Sequence, residues 1–380
     1  VFYLPHSHDL KTKNHTDHLK LSINYINNFN ILLIIFLINY KINFYGTCFA
    51  KQINVILYIL FFQSRPKENQ NVDYKQRTVR EEVTCEGIGL HSGAKVSLTI
   101  KPAPIDSGIK FIRTDLPNQP VIKTCLENII PSTLSTTIAN NGYKVSTIEH
   151  IMAAFFGLGI DNARVELTGP EVPIMDGSAA PFVFLLKSVG IKEQKAPKQF
   201  VLIKKPLIIQ DGNRSVHILP SKEIKISYVI EFNHPLIRNQ KYELSFSGKN
   251  FVDEISRART FGFLKDYNIL RENGLALGGS LDNAIVIDEF RIINEDGLRY
   301  KDEFVRHKLL DFIGDLAILG HPIIGHFVVN KSGHFLNQNM LKELRNRTEC
   351  WETVTFNNPQ ECIQKSVRIP AFGFPEFVTA

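Results

Sequence analysis

Apolar residues change their spacing several times along these 380 residues. Val96-Ser97-Leu98-Thr99-Ile100 alternates apolar and polar, the period of a strand with one buried face. Pro102, Pro104 and Gly108 interrupt it before a second strand-like run, Ile109 to Arg113. From Val145 to Gly159 the run becomes almost wholly apolar and ends in glycine, which predicts a short helix. Asp161 to Leu167 returns to a strand pattern. It enters a Pro- and Gly-rich loop, with Ser178 as N-cap of a helix over Ala179 to Val189. Ala196-Pro197-Lys198 reads as a boundary. Strands are expected again at Gln199 to Ile209, Val216 to Leu219, Lys225 to Phe232 and Tyr242 to Phe246. The last strong signal is Phe304 to Asp315. There Val305, Leu309, Leu310, Phe312 and Ile313 follow a helical period with no proline. Strands, a helix pair, strands and a helix make the chain α+β.

Residues 1–75 differ in kind, crowded with Ile, Asn, Lys, Phe and Tyr. Their apolar runs, Ile31 to Ile38 and Ile53 to Phe62, are shorter than the ~20 residues that span a bilayer. A long polar stretch precedes the first run, the wrong order for a secretory signal. Residue 1 is Val and the first Met is Met152, with Val72 and Val79 as candidate starts. We expect residues 1–75 to be a non-native or disordered extension, with a membrane-associating leader as the alternative. N-terminal sequencing of the natural protein decides between them.

Apolar content of 44% and charged content of 22% suit a globular chain long enough for two domains. The net charge of +6 suggests a nucleic-acid binder until it is located. Residues 1–77 hold nine Lys or Arg against four Asp or Glu, so the remainder is almost neutral and no nucleic-acid partner is expected. Five Cys occur with no C-x-x-C spacing, against a disulfide framework or a thiolate zinc site and in keeping with a reducing, cytoplasmic compartment.

Candidate chemistry starts on the helix at Phe304. His307 and Asp311 are four apart and project from one face, with Asp315 one turn on. A His and a carboxylate so spaced can hold two corners of a zinc site. Ser146-x-x-Glu149 is a capping-box pattern, which accounts for Glu149 without chemistry. His150 beside an apolar run needs a partner if buried, and taken alone reads as structural. His91, in a glycine-rich loop, reads the same way. Asp176-Gly177-Ser178 lacks the G-x-S-x-G elbow, so turn and cap is the better reading.

Several longer blocks carry a resemblance. Ser146-Thr147-Ile148-Glu149-His150, Gly159-Ile160-Asp161-Asn162, Pro173-Ile174-Met175-Asp176-Gly177-Ser178, Ser256-Arg257-Ala258-Arg259-Thr260-Phe261-Gly262-Phe263, Asn294-Glu295-Asp296-Gly297, Phe304-Val305-Arg306-His307-Lys308 and Lys331-Ser332-Gly333-His334 resemble the zinc-dependent UDP-3-O-acyl-N-acetylglucosamine deacetylases of lipid A synthesis. The resemblance implies a two-domain α+β sandwich, each domain a sheet with helices on one face and the active site at the junction. The domains would be 76–196 and 197–380, with an insert near 262–294 forming a passage for the acyl chain. It also implies a Zn2+ site of His150, His307 and Asp311. Glu149 becomes the general base, His334 the group that stabilises the oxyanion or protonates the leaving amine, Asp315 its orienting partner and Thr260 an oxyanion donor. Lys308 is expected to meet the substrate diphosphate, and Phe261 and Phe263 the substrate.

The implied partner is a nucleotide sugar with a fatty acyl chain. The implied setting is a monomer in the cytoplasm, with loose contact to the inner membrane through the lipid. A peptidase reading fails for want of an H-E-x-x-H helix, and a non-catalytic binding module is at odds with the intact set of Glu149, His150, His307, Asp311 and His334. Some members of the family carry a Cys where this chain has Ser135, a position implied to bind a second, inhibitory zinc. Weaker inhibition by excess metal is expected here, and activity titrated with added zinc tests it.

Overall fold

The computed structural model describes residues 74–132 and 134–372. The expected extension, with both apolar runs, lies outside them except for Tyr74 and Lys75. The described residues all belong to one compact unit.

Two five-stranded sheets organise it. The first contains β1 (Val83–Ile88), β2 (Lys95–Pro102), β3 (Ile109–Arg113), β4 (Val121–Lys123) and β5 (Ala163–Leu167), in the spatial order β1-β2-β5-β3-β4. The second contains β6 (Leu207–Asp211), β7 (Arg214–Leu219), β8 (Lys225–Ile230), β9 (Gln240–Ser245) and β10 (His326–Asn330), in the order β6-β7-β10-β8-β9. The central strand of each runs antiparallel to one neighbour and parallel to the other: β5 to β2 and β3, β10 to β7 and β8. Alternation fixes the buried face. Val96, Leu98 and Ile100 on β2, and Ile226, Tyr228 and Ile230 on β8, point into the core. Each inward aliphatic side chain contributes about 1.5–3 kcal/mol, so a one-residue slip would cost several of these at once.

Four longer helices complete the α+β sandwich: α1 (Glu149–Leu158), α2 (Ala180–Ser188), α3 (Glu303–Leu316) and α4 (His334–Asn346). In the chain α1 and α2 flank β5, and α3 and α4 flank β10. α3 lies on β8 and β9, α4 lies on β6 and β7, and α1 packs against α3. Gly314 permits that last contact. A Cβ there would lie 2.0 Å from the Glu149 carbonyl oxygen, so only glycine lets the backbones meet.

Local details depart from the sequence reading. The capping box does not form: the Ser146 hydroxyl donates to the Pro170 carbonyl, and Ile148 at the start of α1 makes no side-chain cap. The tertiary pull of the Pro170 loop wins over the local pattern. Ser178 lies one residue before the cap position, taken by Ala179, yet its Oγ still accepts the Ala180 N–H at 3.2 Å. Ala196 and Pro197 end a strand, Ile191–Pro197, paired antiparallel with Lys75–Val79. Lys198 beyond it is buried, with Nζ 2.6 Å from Asp161 Oδ2 and 2.9 Å from the Gly159 carbonyl.

Candidate active site

The α1–α3 contact brings distant polar residues together. α1 is wholly buried and starts with Glu149 and His150. α3 presents His307, Asp311 and Asp315 on one buried face. Asp311 Oδ1 lies 3.5 Å from His150 Nε2 and 3.3 Å from His307 Nε2. One ligand atom from each of the three residues lies within 4.8 Å of the others. The two imidazoles meet edge to face with centroids 5.0 Å apart.

This trio fits a metal ion. Asp311 Oδ1 is buried without a hydrogen-bond partner among the described residues, as is His150 Nδ1. An unpartnered buried carboxylate oxygen facing two imidazole nitrogens is costly unless something positive bridges them. His307 Nδ1 donates to the Ala258 carbonyl at 3.0 Å, which leaves the Nε2 lone pair facing Asp311. Burial drives the His307 pKa down to about 3, so its ring is neutral, as a ligand must be. A buried network secures the Ala258 segment: Arg259 Nε donates to Glu303 at the first turn of α3 (3.0 Å), Nη1 to Asp296 (2.9 Å) and Nη2 to the Gly297 carbonyl (2.6 Å).

Beside the trio stand an acid and a base. Glu149 Oε1 is 3.7 Å from His334 Nε2. Its Oε2 accepts the Thr136 N–H at 2.9 Å, so Glu149 is not tied to its own helix start. Burial raises its pKa above the usual carboxylate range, with the charged His334 beside it working the other way. His334 opens α4, and its Nδ1 lies 2.9 Å from Asp315 Oδ2. Burial disfavours the His334 charge, but Asp315 and Glu149 outweigh it and hold the pKa at about 9.

The other expected residues lie around this centre. Lys308 donates to Asp311 Oδ2 at 2.7 Å, the carboxylate oxygen other than the one nearest His150 and His307. Thr260 is fixed by its backbone, which donates to the Gly177 carbonyl and accepts from Ile285 N, both at 2.8 Å. It precedes a strand, Phe261–Phe263, paired in parallel with Ile285–Ile287. The Phe261 ring meets His307 at 6.3 Å and Phe304 at 5.0 Å. Phe263 packs against Phe232 and His234. Leu264, Ile269, Leu277, Leu281 and Phe290 in this region are exposed apolar residues.

Sequence reasoning passed over Thr136 and Glu171 and read His91 as structural. Thr136 bonds both Glu149 and Asp315. Glu171, wholly buried, accepts the His91 and Ser92 N–H groups and the Thr147 hydroxyl. Both ring nitrogens of His91 are buried with no partner among the described residues. The available signals were faint: a Thr in a polar run, a Glu between Pro170 and Pro173, a His among glycines.

Residues 76–346 match the model of the LpxC family, UDP-3-O-acyl N-acetylglycosamine deacetylase. The chain belongs to this family. It is 53% identical over 288 residues to a protein of Teredinibacter turnerae, across 75% of this chain and 95% of that one. A Myxococcus xanthus relative is 50% identical over 281 residues, across 74% and 90%. A third, from Syntrophus aciditrophicus, is 49% identical over 295 residues, across 78% and 94%. All three carry the name UDP-3-O-acyl-N-acetylglucosamine deacetylase. The LpxC match takes in every residue of the trio, with Glu149, His334 and Asp315, and leaves residues 1–75 outside. Among the described residues no helix is long and apolar enough to cross a membrane.

Proposed function

We propose that this enzyme hydrolyses the N-acetyl group of UDP-3-O-acyl-N-acetylglucosamine, releasing acetate, as a step of lipid A biosynthesis. The observation that carries this reading is the convergence of His150, His307 and Asp311 on an unpartnered carboxylate oxygen, beside Glu149 and His334, in a chain of this family. His150, His307 and Asp311 would hold the metal, and two imidazoles with one carboxylate are a donor set that suits zinc. When bound, zinc supplies Lewis-acid polarisation of the amide carbonyl and makes water more acidic.

The protein's own groups move the protons. Glu149 Oε1 takes a proton from the attacking water as its oxygen bonds to the acetyl carbon. His334, charged and held by Asp315, steadies the oxyanion and then gives the Nε2 proton to the leaving amine as the C–N bond breaks. The Thr260 hydroxyl donates to the same oxyanion. Lys308 neutralises Asp311 and faces the diphosphate. Phe261, Phe263 and the apolar residues of the 262–294 insert guide the acyl chain. We carry the division into 76–196 and 197–380, the monomeric state, the cytoplasmic setting and loose membrane contact within the same proposal; sedimentation and cell fractionation test the last three.

Metal analysis combined with a deacetylation assay tests the mechanism. Glu149→Ala is expected to keep its zinc and lose about 10²–10⁴-fold in kcat. A metal-free wild-type enzyme, or a fully active Glu149→Ala, overturns the reading.

A further inference from the structure

Thr136 has no part in the scheme above, yet it is wholly buried and touches both halves of the proton machinery. Its N–H donates to Glu149 Oε2 at 2.9 Å. Its hydroxyl donates to Asp315 Oδ1 at 2.5 Å. The same oxygen lies 3.2 Å from His334 Nδ1 and accepts from Gln338 Nε2 at 3.4 Å. A hydroxyl has one proton to give, and here it goes to Asp315. Asp315 Oδ2 also receives Asn337 Nδ2 at 2.7 Å. His334 Nδ1 therefore faces two acceptors, Asp315 Oδ2 and Thr136 Oγ1, and must carry its proton towards them. Two consequences follow. Glu149 has one oxygen occupied and the other, Oε1, free towards His334 Nε2. His334 has Nδ1 committed, so Nε2 alone can exchange a proton with substrate.

We propose that Thr136 is a positioning residue that fixes the acid–base pair from one point, selecting Glu149 Oε1 as base and His334 Nε2 as proton donor. The proposal rests on the roles given to Glu149 and His334 above. Residues placed behind reacting groups in this way hold geometry for the transition state more than for substrate binding, so their loss falls on kcat rather than KM.

The test is steady-state deacetylation by the metal-loaded enzyme, with metal content and Tm followed in parallel. Thr136→Val keeps the N–H and the branched shape and removes only the hydroxyl. It is expected to lower kcat about 10–100-fold, the usual cost of losing an outer partner at a metal site. KM should stay within about threefold, because ground-state binding is untouched, and bound metal should be unchanged. Thr136→Ser, which restores the hydroxyl, should recover most of kcat. Wild-type kcat in Thr136→Val, a loss confined to KM, or a Thr136→Ser as impaired as Thr136→Val overturns the inference. Thr136→Ala applies the same criteria if Thr136→Val does not fold. Glu149→Ala alongside separates the two levels. If it is inactive while Thr136→Val is unimpaired, this inference alone falls; if it is fully active, the reading of the whole site falls.

Discussion

The two sheets share one plan and divide one task. Each has the order first-second-fifth-third-fourth, with the same pattern of parallel and antiparallel neighbours, and each central strand is flanked in sequence by two helices. In the proposed reading the helix before the central strand supplies the metal ligands in both, while His334 comes from α4, after β10. In the first half it is α1, which brings His150 and Glu149 at its first turn. In the second it is α3, which brings His307, Asp311 and Asp315 over three turns. Neither helix holds all three proposed ligands. The second half also spends residues 246–302 between β9 and α3 on segments with exposed apolar side chains, whereas the first has only 124–148 between β4 and α1. Scaffolds of one topology thus differ in what their loops and helix faces carry, and the three proposed ligands come together where the two central helices meet.

Ligand removal probes that division most severely. If the site is shared, His150→Ala on α1 and His307→Ala on α3 should lose bound metal to a similar extent, each with near-complete loss of deacetylation. Metal retention by either variant at wild-type affinity would break the comparison. The α1–α3 contact itself is tested by Gly314→Ala. The added Cβ meets the backbone at Glu149, with the carbonyl carbon at 2.7 Å, and no side chain can move aside to relieve it. Destabilisation at the upper end of the roughly 1–3 kcal/mol of overpacking is expected, with loss of activity beyond what unfolding explains, because Glu149 and His150 are displaced relative to Asp311. A wild-type melting temperature together with wild-type kcat would show that the helices have slack.

What could be read beforehand follows from where each signal resides. α3 was legible because its apolar residues keep a helical period, and His307 and Asp311 share a face by spacing alone. β2 was legible from alternation. His150 was not: its partners are on α3, and only resemblance connected them. Ser146 and Glu149 gave a local pattern that the fold overrides, since the Ser146 hydroxyl is drawn to Pro170 and the Glu149 carboxylate to Thr136. Thr136 was invisible for the same reason, because Asp315 and His334 approach it from the other half. The repeated topology was also hidden. It is a property of which strands bond to which, and alternation in β2 or β8 says nothing about the neighbour.

The two helix starts differ in a smaller way that can be measured. The residue before the cap of α3, Lys301, has no positive φ, whereas its counterpart before the cap of α1, Thr147, has φ +56°, a left-handed conformation that a β-branched residue rarely adopts. Such a conformation costs about 1–2 kcal/mol. The Thr147 hydroxyl offsets it by donating to the buried Glu171 carboxylate at 2.9 Å, a bond of a kind that contributes about 1.5–3 kcal/mol. Thr147→Val keeps the strain and loses the bond, so it should destabilise by about 1.5–3 kcal/mol in urea unfolding. Thr147→Gly loses the bond and the strain together, at about 0.5–1 kcal/mol of extra unfolded-state entropy. Glu171 still accepts the His91 and Ser92 N–H groups in both variants, so neither leaves it bare. Thr147→Gly should therefore be the more stable of the two by about 0.5–1 kcal/mol. The reverse order would mean that the first half stores no strain at the entry to α1, and that the two helix starts differ in geometry alone.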